Sequence, residues 1–176
     1  MQSYLPLLRD QTNLKTILLD ANFIIDAYRQ WGKFQPAIEF LVDNQATLTT
    51  TAFVALEVLR GYRSPDELEA KKDFIKELTK GYLLPIVQDT NEIALDKIVR
   101  LYGINGGKPH IADLYLAAMT VQYERSTGLL ILTRNIHDFP DHIFDTVGII
   151  PIETSPCVTI YGIMKYSPQK AQRVLN

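Results

Sequence analysis

Chemistry in this chain would have to come from its acids. Asp20 closes the short apolar run Ile17-Leu18-Leu19, and Glu57 sits within a helical stretch surrounded by Phe53, Val54, Val58 and Leu59. Asp113 lies one turn into another apolar helix, while Asn135 and Asp138 follow the apolar run Leu129 to Leu132. Each has an ordinary structural alternative: Asp20 and Asn22 as helix caps, Glu57 as the partner of Arg60 three residues on, and Asp113 as an acid favoured by its helix N-terminus. Gathered in one cleft, three or four carboxylates raise one another's pKa, and a hard divalent cation relieves that repulsion. Mg²⁺ or Mn²⁺ suits an all-oxygen set, keeps several waters and is commonly held beside phosphates. Such an ion lowers the pKa of a bound water and offsets charge developing at phosphorus. His110, His137 and His142 lack zinc-ligand spacing and are expected to pair locally.

The elements that must bring these residues together read as alternating strands and helices. Ile17 to Leu19 suits a strand buried on both faces of a parallel sheet. In open α/β sheets, ligands bind beyond the carboxyl ends of the strands, which is where Asp20 falls. A helix is expected from Asn22 to Gln30 with its stop at Gly32, then a second from Pro36 to Asp43-Asn44, then a strand at Ala46 to Thr49. Together they form a βαβ-like unit. Thr50 and Thr51 cap a helix over Ala52 to Tyr62, and Ser64-Pro65-Asp66-Glu67 starts the next, whose Lys71-Lys72 pair reads as a solvated face. Leu83 to Val87 reads as a third strand, Thr90 to Leu101 and Pro109 to Tyr123 as helices, and Leu129 to Leu132 as a fourth strand. Gly148 to Ile152 is expected to close the sheet, with Cys157 to Met164 as an extra edge strand or contact surface before a short helix to Leu175.

Composition narrows the classes. The 176 residues fit one domain able to bury a core, and 47% hydrophobic with 22% charged residues is a globular balance. No apolar run is long enough to span a membrane, and a cytoplasmic setting is expected. The single Cys157 has no disulfide partner within the chain and is expected to be a packing residue. A net charge of −2 argues against a global basic field for nucleic acid, although carboxylates collected in one cleft depress the total even where basic residues line its rim.

Four ordered segments carry a family likeness: L-L-D-A-N-F-I-I-D at 18–26, L-E-V-L-R-G at 56–61, I-A-D-L-Y-L-A-A at 111–118 and L-T-R-N-I-H-D-F at 132–139. Together they resemble the motifs of PIN-domain nucleases, most closely the VapC type of bacterial and archaeal toxin. The likeness spans residues 16–153, with 1–15 as an N-terminal extension and 154–176 as a C-terminal extension of unassigned role. It implies a three-layer α/β/α fold with a central parallel sheet and an Mg²⁺- or Mn²⁺-dependent ribonuclease yielding 5′-phosphate and 3′-hydroxyl ends. It also implies a small cognate antitoxin and a homodimer. Carried over by position, Asp20, Glu57 and Asp113 are metal ligands, and Asn22 orients the first. Either Asn135 or Asp138 completes the site; with Asn135, one negative charge is missing and there is room for one metal before substrate arrives. Thr133 holds a water or ligand, or is a turn residue. Arg60, Arg63, Lys108 and Arg134 are candidate phosphate contacts, or plain surface charges.

Two other readings compete. A haloacid-dehalogenase-type phosphatase also begins with a strand ending in Asp, but it needs a second acid where this chain has Asn22, and it leaves Glu57 unexplained. A catalytically degenerate binding module on the same fold is favoured by the acidic pI of about 5.9 and by Asn135.

Overall fold

A computed structural model describes residues 7–8, 16–104, 106–124, 128–154 and 156–175. The expected N-terminal extension, 1–15, lies outside the described residues except for β1 (Leu7–Leu8). Strand β2 (Thr16–Leu19) leads into α1 (Ala21–Arg29) and α2 (Trp31–Asp43), followed by β3 (Thr47–Thr49), α3 (Ala52–Arg60) and α4 (Pro65–Leu78). Helices α5 (Gln88–Ile104) and α6 (Ile111–Gln122) precede β4 (Leu130–Thr133), a 3-10 turn (Ile136–Asp138), β5 (Phe144–Thr154), β6 (Cys157–Tyr166) and α7 (Pro168–Leu175).

The strands form one mixed sheet in the order β1-β5-β6-β4-β2-β3. Its site-bearing half is parallel, with Leu19 level with Leu132 and Leu18 level with Thr49. Ile17, Leu18 and Leu19 are fully buried, as are Ile131 and Leu132, as expected for strands covered on both faces. One group of helices, α1 to α4, packs together, and a second comprises α5, α6 and α7, giving the three layers. Beyond β4 the sheet turns antiparallel.

Several local expectations give way to tertiary context. The stretch from Leu83 to Val87 forms no strand; only Leu83 bridges to Thr50, because Pro85 has no N–H to extend a ladder. Helix α2 begins at Trp31, ahead of Gly32 and Pro36, since Phe34 is buried in the core and Pro36 forfeits a single backbone bond. The segment expected at the sheet edge is β6, inserted between β4 and β5. Cys157, expected to pack, is exposed at its start. Lys71, expected on a solvated face, is buried, pairs with Glu67 at 3.2 Å and lies over the Tyr28 ring.

Candidate active site at the ends of the parallel strands

The parallel register brings the polar residues after β2, β3 and β4 to one edge. Asp20 continues the ladder, its N–H donating to the Leu132 carbonyl at 3.1 Å. This puts its side chain beside Thr133 at the end of the neighbouring strand. The Thr133 hydroxyl donates to Asp20 Oδ2 at 2.6 Å, the Ala21 N–H donates to Oδ1 at 2.6 Å, and the Asn22 amide donates to Oδ2. Asp20 therefore is the N-cap of α1, but its other oxygen is committed to the strand end opposite. The cap and the candidate metal ligand are the same residue.

Asn22 ties the two strand ends together. Its amide nitrogen also reaches Thr133 Oγ1 at 3.1 Å, and its carbonyl oxygen accepts from the Arg134 N–H at 3.1 Å. Thr133 in turn accepts from the Asn135 N–H at 3.0 Å, so it is a positioning residue and a turn residue at once. At the β3 end, the Thr50 hydroxyl donates to the Leu19 carbonyl at 2.9 Å, and Thr51 caps α3 through the Val54 N–H. That fixes the helix carrying Glu57.

Glu57 is half-buried and makes no ion pair with Arg60 or Arg63, so the surface-pair alternative is absent. Instead its charge reaches both Asp20 and Asp113. Asp113 is only 5% exposed, and among the described residues its carboxylate accepts no hydrogen bond. Burial, then the charges of Asp138 and Asp20, push its pKa up to about 7, with His110 pulling the other way and Glu57 adding to the rise. Asp20 is also raised, first by burial, with the Thr133 and Ala21 hydrogen bonds restraining the shift. Asp138 is the strongest charged neighbour of Asp113, while Asn135 is exposed and its side chain makes no bond within the described residues.

The 3-10 turn that carries Asp138 is held from two sides. Buried Phe139 packs edge-on against Phe144, and Ile136 lies over Gly162 of β6, where a Cβ would stand 2.8 Å from Ile136 Cγ1. Sequence reading missed three contributors. Asp26 accepts from Arg134 Nη1 and from the Tyr161 hydroxyl, both at 2.7 Å. Arg134 thereby commits Nη1 to Asp26 while its side chain stays about half exposed. Asp26 lies one helical turn after Asn22 on the same face of α1, a signal that was available. Tyr102 donates to the Asp138 carbonyl at 2.5 Å from a distant helix, and no local pattern announces that.

Among the described residues no three His, Cys, Asp or Glu side chains converge closely enough to chelate an ion. The donor set nevertheless fits a hard divalent cation. Its members carry carboxylate oxygens, Asp20 and Asp113 are both raised by burial and by the acids around them, and buried Asp113 accepts from no donor among the described residues. Asp20, Glu57, Asp113 and Asp138 are within electrostatic reach without being drawn onto one point.

A family model of the PIN domain matches residues 17–140, well over half the chain, and the protein belongs to that family. PIN domains are generally nucleases that act on nucleic acid and usually depend on divalent metal ions. No curated protein and no solved structure gives a significant match. No helix among the described residues is long and apolar enough to cross a membrane.

Proposed function

We propose that this protein is an Mg²⁺- or Mn²⁺-dependent ribonuclease of the VapC type, the toxin of a toxin–antitoxin pair. The observation that carries the nuclease reading is Asp113: a buried carboxylate that accepts from no donor among the described residues and is loaded by three neighbouring acids. Asp20, Glu57 and Asp113 hold the ion, and Asp138 completes the set in preference to Asn135 because its charge bears most strongly on Asp113. When bound, the ion supplies a Lewis acid at the phosphate and an acidified water. Asn22 and Thr133 keep the Asp20 carboxylate aimed across the strand ends. Arg60 and Arg63, exposed and without a close ion pair among the described residues although Arg63 bears on Glu67, contact substrate phosphates. RNA is selected by shape and by unstacked bases. The toxin half of the reading requires a small antitoxin protein and is consistent with a homodimer.

The test is cleavage of a mixed single-stranded RNA by purified protein in Mn²⁺ or Mg²⁺, beside Asp20→Asn and a chelator control. Metal-dependent cleavage lost in the variant supports the assignment. Equal silence of both, with no divalent-ion binding by calorimetry, favours the degenerate binding module, whose best support is that the acids do not converge as they stand. Co-purification with the product of an adjacent small reading frame tests the toxin half.

A further inference from the structure

A second concavity adjoins the acidic cluster, and its chemistry is of the opposite sign. A cleft of about 260 Å³ is lined by Tyr102, Gly107, Lys108, His137, Asp138 and His142, together with two prolines. Its one anionic lining residue, Asp138, is the acid that bears on Asp113, so cleft and cluster meet there. The wall is rigid. Tyr102 is buried with its hydroxyl donated to the Asp138 carbonyl, and Gly107 folds against it so closely that a Cβ would stand 3.2 Å from the Tyr102 carbonyl oxygen. Against that wall the donors are unspent. Lys108 and His137 are exposed, and neither side chain has a partner among the described residues. His142 Nε2 is buried without a hydrogen-bond partner among the described residues. A lysine ammonium and two imidazoles around a small hollow match the acceptor oxygens of a phosphodiester.

We propose that this cleft is a backbone-phosphate subsite: Lys108, His137 and His142 hold the phosphate next to the scissile one and so set the direction in which a single strand crosses the acids. The inference rests on the nuclease reading and extends it to the path of the substrate. Asn22 and Arg134 occupy the β2–β4 seam, whereas this subsite guides the strand across the 3-10 turn towards the loop after α5.

The test separates binding from cleavage. Anisotropy of a labelled single-stranded oligonucleotide is titrated against salt in the Asp20→Asn background, with Lys108→Ala, His142→Gln and Lys108→Arg added singly. Lys108→Ala is expected to weaken binding about tenfold and to lower the salt slope by about 0.7, the value of one lost single-strand phosphate contact. Lys108→Arg restores both, and His142→Gln gives a smaller loss. An oligonucleotide carrying one neutral methylphosphonate at the adjacent position loses about as much with Lys108 present and almost nothing with Lys108→Ala. An unchanged salt slope, or equal methylphosphonate penalties in both proteins, overturns the subsite. Cleavage of the same oligonucleotide by protein with all its acids reads the nuclease assignment separately. If no metal supports it while the Lys108 effect persists, the nuclease assignment fails and the phosphate site stands.

Discussion

Asp20 and Asp113 are equally buried, each 5% exposed, yet they are held in opposite ways. Asp20 accepts from a backbone N–H, a threonine hydroxyl and an asparagine amide, so folding itself compensates much of its charge. Asp113 accepts from nothing among the described residues and faces three other acids. The difference divides the labour within the site. In the proposed metal site the strand-end carboxylate is placed by the fold, and the helix carboxylate would carry the repulsion that a cation relieves.

The widest break in that comparison comes from removing each acid. Asp20→Ala and Asp113→Asn should both cut cleavage by on the order of a hundredfold or more, but their stabilities should diverge. Asp20→Ala loses a helix cap worth about 0.5–2 kcal/mol and strands the Thr133 hydroxyl, so its melting temperature falls. Asp113→Asn removes an uncompensated charge, and without divalent ions at pH 8 its melting temperature rises. Two shifts of the same sign would dissolve the contrast.

Titration sharpens it next. The folded pKa of Asp113, about 7, lies above the ordinary 3.8, so the protonated carboxyl favours the folded state. Its stabilisation is complete below about pH 4 and disappears as pH rises to about 7. Chelated protein should therefore melt at progressively lower temperature across that window, Mn²⁺ should restore stability at pH 8, and Asp113→Asn should flatten the fall. A fall of unchanged steepness in that variant assigns the charge load to another group.

Smaller effects probe the supports. Thr133→Val removes one donor from Asp20 and is expected to cost about 1 kcal/mol and roughly tenfold in cleavage rate, with Thr133→Ser recovering most of both. Gly162→Ala should press on Ile136, shift the turn bearing Asp138 and lower kcat severalfold at nearly constant stability. Combining it with Ile136→Ala should recover activity; a double variant no better than the single removes Gly162 from the account.

Much of the fold was legible because periodicity and turn chemistry are local. Ile17 to Leu19 and Leu129 to Leu132 are read as buried strands from apolar runs alone, and Ser64-Pro65 announces α4 at the observed residue. The errors share a cause. Pro85 denied a ladder to an apolar run, buried Phe34 moved the start of α2, and β6 went inside the sheet because β4 offered it an antiparallel partner. Apolar character does not reveal which edge a strand will find.

The sequence by itself determined which residue types stand at the ends of the strands: an acid after β2, threonines after β3, a threonine at the end of β4 and an amide just after it, and acids on α3, α6 and the 3-10 turn. These follow from short-range rules about where apolar runs end. Only the tertiary structure decided that Asp20 would be satisfied and Asp113 left bare, that Arg134 would be bound by Asp26, and that Lys108 would face a hollow beside Asp138. Those outcomes depend on sheet register and on packing between segments far apart in the chain, and charge compensation is set by distance in space.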